Sequence, residues 1–230
     1  MNETGTRAGA IIVAAGSSTR MMGDDKIFAP LGQESLLAKV VNVFQNCTSI
    51  DEIVIVLATN NLERGRRLVH EYNWTKVTAV CAGGVRRQDS VRQGLGNLHN
   101  CDWVVIHDGA RPCISADIIE RGLTTAQRSG AAIAAVPVKD TIKIVSPLHV
   151  IEQTPLRERM WLAQTPQVFR YDLIVEAYNQ IDADVTDDAS LVERLGYSVD
   201  VYMGSYQNIK VTTPEDLAIA EIFVSNREKA

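Results

Sequence analysis

The stretch Gly9-Ala10-Ile11-Ile12-Val13-Ala14-Ala15, followed at once by Gly16-Ser17-Ser18-Thr19-Arg20, decides the fold. Seven small or apolar residues without polar alternation fit a strand buried on both faces, as in a parallel sheet covered by helices. The abrupt change to small polar residues ends that strand in a loop. Small residues let backbone N–H groups approach phosphate oxygens closely, and Arg20 and Lys26 would add cationic donors. Two familiar fingerprints are excluded: only Gly16 stands where a GxGxxG motif needs three glycines, and no Walker loop is present. By itself the loop reads equally well as an ordinary strand-to-helix turn with a solvated Arg and Lys.

Outward from this stretch, strand and helix alternate. A helix is expected over Ser35–Gln45, where Leu36, Val40, Val43 and Phe44 share a face. Further strands are expected at Glu52–Leu57, Val77–Cys81, Trp103–His107 and Ala131–Val138. The helices between them fall at Asn61–Tyr72, from Asp89, and at Ala116–Arg128. The pattern then breaks: Lys139–Thr154 reads as two short β runs around a Ser-Pro turn. A short segment at Trp161–Gln164 follows, with helices near Tyr171–Gln180 and Asp187–Leu195. Ser198–Met203 is a late strand, and Pro214–Phe223 a last helix capped by Thr213. The expected architecture is α/β: a single domain over 1–230, with a doubly wound, Rossmann-like, mostly parallel sheet and a β-hairpin arm at about 139–157. Ligands of such sheets bind beyond the carboxyl ends of the strands, so the loops there carry the function.

Composition narrows the class. The 230 residues are 46% hydrophobic and 22% charged, which is globular rather than disordered. No apolar run is long enough to span a membrane, and Met1–Ala8 lacks a signal-peptide core. Cys47, Cys81, Cys101 and Cys113 are widely spaced, which favours free thiols in a reducing cytoplasm over a metal or disulfide framework. A net charge of −5 argues against a nucleic-acid surface. It leaves room for a polyphosphate ligand, which needs only a few local cations.

Six motifs in order carry a sharper reading: the opening small-residue loop, Gly83-Gly84-Val85-Arg86-Arg87-Gln88-Asp89-Ser90-Val91, His107-Asp108-Gly109-Ala110-Arg111-Pro112, Gln164-Thr165-Pro166-Gln167, Thr186-Asp187-Asp188-Ala189-Ser190, and Asn208-Ile209-Lys210-Val211-Thr212. Gly83–Gly84 can present bare backbone to a base edge, and cytosine offers donors and acceptors that backbone groups pair directly. Asp108 ends a strand, so its carboxylate emerges at the ligand edge, where magnesium takes one or two carboxylates plus phosphate oxygens and waters. His107 precedes it and is expected to face the other side in a packing role. Arg86 and Arg87 read as solvated charges.

Together the motifs resemble those of the 2-C-methyl-D-erythritol 4-phosphate cytidylyltransferases, within the sugar-phosphate nucleotidyltransferases, over nearly the whole chain. The resemblance implies CTP as the nucleotide and a polyol phosphate as acceptor, giving CDP-methylerythritol and pyrophosphate in non-mevalonate isoprenoid synthesis. It implies a nucleotide site at Ala14, Ala15, Gly16, Ser17, Gly84, Val85, Ser90, Asp108, Ala110 and Arg111. Asp108 would be the ligand of Mg²⁺ or another divalent cation. Arg20, Lys26, Arg157 and Lys210 would be catalytic, and Thr141, Arg157, Thr165 and Thr186 would serve the acceptor. Arg157 is aligned by its distance from Trp161, leaving Arg159 as a solvated charge. The resemblance also implies a homodimer through the arm.

Two departures stand out. Gln207 occupies a position where many relatives carry Asp, and the short MMGDD segment loosens the alignment of Lys26. Ribitol 5-phosphate is an alternative acceptor, and a non-catalytic nucleotide sensor an alternative class. The acceptor's phosphate, with a second pKa near 6, is largely a dianion at neutral pH. It needs no general base, so positioning and charge neutralisation remain as the work of the site.

Overall fold

A computed structural model describes residues 5–16, 26–181 and 183–228. The first strand, β1, runs Ala8–Ala14 and is buried along almost its whole length. A small hairpin follows, β2 (Pro30–Leu31) and β3 (Glu34–Ser35), which the sequence pattern does not announce. Ser35 then caps helix α1 (Leu36–Asn46), its hydroxyl accepting from the Ala38 N–H at 3.2 Å. Next come β4 (Glu52–Leu57), α2 (Leu62–Glu71), β5 (Val77–Ala82), α3 (Arg87–Leu95), β6 (Trp103–Asp108), α4 (Ala116–Ser129) and β7 (Ala131–Pro137). Helix α3 starts two residues before Asp89, where the sequence places its beginning.

The arm consists of β8 (Ile144–Val145) and β9 (Ile151–Gln153), paired antiparallel in a sheet of their own. Beyond it lies β10 (Trp161–Arg170), then α5 (Tyr171–Gln180), α6 (Ala189–Arg194), β11 (Asp200–Met203) and α7 (Pro214–Glu228). Thr213 caps α7, its hydroxyl accepting from the Asp216 N–H at 3.3 Å.

The central sheet has seven strands in the order β11-β7-β10-β6-β1-β4-β5. All its pairings are parallel except those of β10, which runs antiparallel to both β6 and β7. The short segment expected at Trp161–Gln164 is therefore a ten-residue strand in the middle of the sheet. Pro166 hides it in the sequence, because a proline inside an apolar run argues against a central strand. The structure accommodates it at a bulge: pairing with β7 shifts between Ala163 and Gln167, so no ladder bond is asked of the proline.

Two apolar layers cover the sheet. One packs Leu36, Leu37, Val40, Val41 and Phe44 of α1, with Ile118, Ile119 and Leu123 of α4, against β1 and β4. The other packs Val91 and Leu95 of α3 and Leu173, Ile174 and Ala177 of α5 against Ile11, Val54 and Val104. No helix among the described residues is long and apolar enough to cross a membrane. None of the four cysteines forms a disulfide.

Candidate active site

The carboxyl ends of β1, β5 and β6 converge on a cavity of about 380 Å³. Val13, Ala14, Ala15 and Gly16 form one wall, and Gly84, Val85 and Ser90 another. Lys26, Arg87, Asp108, Ala110 and Lys210 also line it. The glycines are there for space. A Cβ on Gly83 would collide with Ala15 and Ser90, and one on Gly84 with Asp89. Ser90 is buried and fixes the turn: its hydroxyl accepts from the Gly84 N–H at 3.1 Å and donates to the Arg86 carbonyl at 3.2 Å. Val85 by contrast is fully exposed at the cavity's edge. Ser17 and Arg20 lie outside the described residues.

A second cavity, of about 300 Å³, opens on the other side of Asp108. Arg111, Gln164, Thr165, Gln167, Thr186 and Asp187 contribute to its wall. Arg87, Asp108 and Lys210 line both cavities. The two spaces thus meet at one carboxylate and two cations.

Asp108 is the hub. Its Oδ1 accepts from Arg87 Nε at 2.9 Å and its Oδ2 from Lys210 Nζ at 2.8 Å. Burial raises a carboxyl pKa, but Arg87 and Lys210 outweigh it and hold Asp108 well below the usual carboxylate range. Arg87 also donates from Nη1 to Asp188 Oδ2 at 2.8 Å, and Asp188 is wholly buried. Burial opposes the charge of Arg87, yet Asp188 and Asp108 more than compensate and raise its pKa. Arg87 is therefore no solvated charge, as the sequence suggested; only Arg86 is exposed, paired with Asp89 at 2.7 Å. The signal was present, since the arginine of the GGxxRxxSV pattern falls on position 87. Two adjacent arginines gave no local reason to choose, and Asp188 lies 101 residues away.

The other motifs hold this hub in place. His107 is buried against the Phe44 ring, with centroids 5.3 Å apart. Burial pushes its pKa down to about 4, so it is neutral. The network assigns its proton to Nε2, which donates to the Arg111 carbonyl at 3.2 Å, while Nδ1 accepts from the Thr165 hydroxyl at 3.1 Å. The same hydroxyl oxygen accepts from the Asp108 N–H at 3.0 Å. Thr165 thus spends its donor and one lone pair on the strand end carrying Asp108, and only one acceptor lone pair remains for a ligand. The motif reading places it at the acceptor; it stands in the wall of the second cavity, and its bonds also make it a support for Asp108.

Lys210 is positioned through Asn208, which is buried and donates from Nδ2 to the Thr165 carbonyl at 2.8 Å. The Asn208 carbonyl accepts from Arg111 Nη1 at 2.8 Å, and the Val211 N–H bonds the Ala110 carbonyl at 2.8 Å. Thr186 sits on a loop anchored by Gln167, whose Oε1 accepts from the Asp188 and Ala189 N–H groups, both at 3.1 Å. In the sequence Asn208 and Gln167 are parts of motifs without a visible task, because their partners are distant along the chain. Thr141 and Arg157 line neither cavity. Both are exposed at the base of the arm, where Arg157 Nη1 donates to the Lys139 carbonyl at 3.1 Å.

Chemically, the larger cavity offers a small-residue wall, a backbone platform and cations, which suits a nucleoside triphosphate. The smaller is polar and cationic on its shared side, which suits a phosphorylated polyol. Comparison with known proteins agrees. The family model described as 2-C-methyl-D-erythritol 4-phosphate cytidylyltransferase matches residues 8–226. A protein of that name from Dehalococcoides mccartyi strain CBDB1 is 52% identical over 218 residues, covering 95% of this chain and 96% of its own. One from Alkaliphilus oremlandii is 45% identical over 230 residues, covering 97% and 98%. Among solved structures, 4-diphosphocytidyl-2C-methyl-D-erythritol synthase from Anaerococcus prevotii superposes with a TM-score of 0.86 at 30% identity, covering 96% and 97%. The cytidylyltransferase from Thermus thermophilus superposes at 0.78 with 31% identity, covering 96% and 100%.

Proposed function

Because the chain belongs to the 2-C-methyl-D-erythritol 4-phosphate cytidylyltransferase family, and so joins CTP to that acceptor in isoprenoid biosynthesis, we propose how its residues divide the work. Neither ribitol 5-phosphate as acceptor nor a non-catalytic sensor is favoured by these likenesses. The observation that carries the proposal is the sharing of Arg87, Asp108 and Lys210 by two cavities, since a two-substrate transfer must take place where its substrates meet.

CTP occupies the larger cavity, its cytosine against Gly84, Val85 and Ser90 and its phosphates along Ala14–Gly16. The acceptor lies in the smaller cavity near Thr186, and its phosphate dianion attacks the α-phosphorus in line, expelling pyrophosphate. Lys26 and Arg20 neutralise the leaving side, and Lys210 the crowded α-phosphate. His107 takes no proton in this scheme; it is neutral and fully hydrogen-bonded.

Asp108 suits a divalent cation as a single carboxylate ligand. No cluster of three metal-ligating side chains occurs among the described residues, so phosphate oxygens and water would fill the other positions. The ion would add positive charge at the phosphates.

A homodimer through the arm is supported by Ile144, Val145, Leu148, Val150 and Ile151, all exposed on a two-stranded projection. Thr141 and Arg157 at its base would then complete the neighbour's acceptor subsite, which explains why they line neither cavity of their own chain. Mixing tests this. Lys26→Ala and Arg157→Ala proteins, each inactive alone, are co-expressed. If Arg157 acts in trans, half of the random dimers are mixed, each with one intact site, and roughly a quarter of wild-type activity returns. An inactive mixture containing confirmed heterodimers refutes the shared site.

A further inference from the structure

Arg87 has no assigned part in the transfer, yet its guanidinium joins the two halves of the site. Nε bonds Asp108 at the end of β6, and Nη1 bonds Asp188 in the loop that carries Thr186. Asp188 is itself tied into the fold at further points. It is wholly buried, its Oδ1 accepts from the Tyr178 hydroxyl at 2.6 Å, and its N–H is held by Gln167. Nη2 of Arg87 is buried with no partner among the described residues, although Arg87 is in the wall of both cavities. A planar fork held by two carboxylates transmits displacement of one to the other, because its donors keep a fixed mutual geometry.

We propose that Arg87 is a positioning residue that couples the nucleotide subsite to the acceptor subsite. In the free protein Asp108 is shared between Arg87 and Lys210. Nucleotide phosphates in the larger cavity draw Lys210 away, leaving Arg87 as the remaining side-chain cation on Asp108. The tightened Asp108–Arg87–Asp188 line then fixes the Thr186 loop before the acceptor arrives, which removes part of the ordering cost of its binding. By linkage, the acceptor must strengthen nucleotide binding by the same factor. This rests on the two-substrate reading of the cavities.

The test is calorimetric titration of methylerythritol phosphate into the protein, with and without saturating α,β-methylene-CTP, an analogue that cannot be cleaved at the reacting bond. Wild type is expected to bind the acceptor about ten-fold more tightly with the analogue present. That ratio should fall towards one in Arg87→Lys, which keeps the charge and loses the fork, and in Asp188→Asn. It should fall part of the way in Tyr178→Phe, which removes one hydroxyl from Asp188 and keeps the ring. If Arg87→Lys does not fold, the other two variants decide. A wild-type ratio of one, or an unchanged ratio in both Asp188→Asn and Tyr178→Phe, overturns the proposal. Failure of wild type to bind the analogue at all would remove the two-substrate reading, and this inference with it.

Discussion

Asp108 has two cations on one carboxylate, and their removal should have opposite consequences. Lys210 is 43% exposed, so its ion pair is screened and its loss costs about 0–1 kcal/mol of stability. Its catalytic share should be larger: in the proposed arrangement it faces the crowded phosphate, and deleting such a cation costs about 10²–10³ in rate. Arg87 is the reverse case. Asp188, its second partner, has a side chain only 1% exposed, and a buried charge left without its partner costs about 3–5 kcal/mol. At roughly 2–4 °C per kcal/mol for a chain of this size, Arg87→Met should melt about 6–20 °C lower, and Lys210→Met less than about 4 °C lower. Scanning fluorimetry and a pyrophosphate-release assay on the same preparations read both quantities. The expected result is a Lys210→Met protein with wild-type melting and little turnover, beside an Arg87→Met protein that is mainly destabilised. A Lys210→Met enzyme with normal kcat, or one that melts as low as Arg87→Met, would refute this division of the hub.

Lys26→Ala should lower kcat by about 10²–10³ and leave the acceptor KM nearly unchanged, because charge on leaving pyrophosphate grows in the transition state; near-normal turnover would dismiss its role on the leaving side. Gly84→Ala should raise the KM for CTP, since the added Cβ meets Asp89 and displaces the backbone beside Ser90; an unchanged KM means that the base does not lie on this turn. His107 contributes to acid sensitivity. Its pKa is about 4 when folded against about 6.5 when free, so the unfolded chain binds the extra proton between these values. Stability supplied by the neutral ring is complete above pH 6.5 and falls by about 3 kcal/mol as pH drops to 4. Urea titrations should show His107→Asn with a flatter decline over that window, and identical slopes would exclude the effect.

What the sequence determined by itself was whatever depends on near neighbours. The unbroken apolar run of β1, the break in strand–helix alternation at the arm, the Thr213 cap and the glycine pair at 83–84 all follow from local sterics and periodicity. So did the correct side for His107, because adjacent residues on a strand point opposite ways. Tertiary structure decided the rest. β10 was hidden because Pro166 speaks against a strand locally, and only the pairing with β6 and the bulge beside β7 show that it is tolerated. Arg87 and Arg86 are alike as neighbours in a chain. They differ because Asp108 and Asp188, brought in from 21 and 101 residues away, surround one and leave the other to solvent. Ionic and hydrogen-bonding roles are set by partners and burial, and both come into being only when the sheet closes distances that the sequence leaves open.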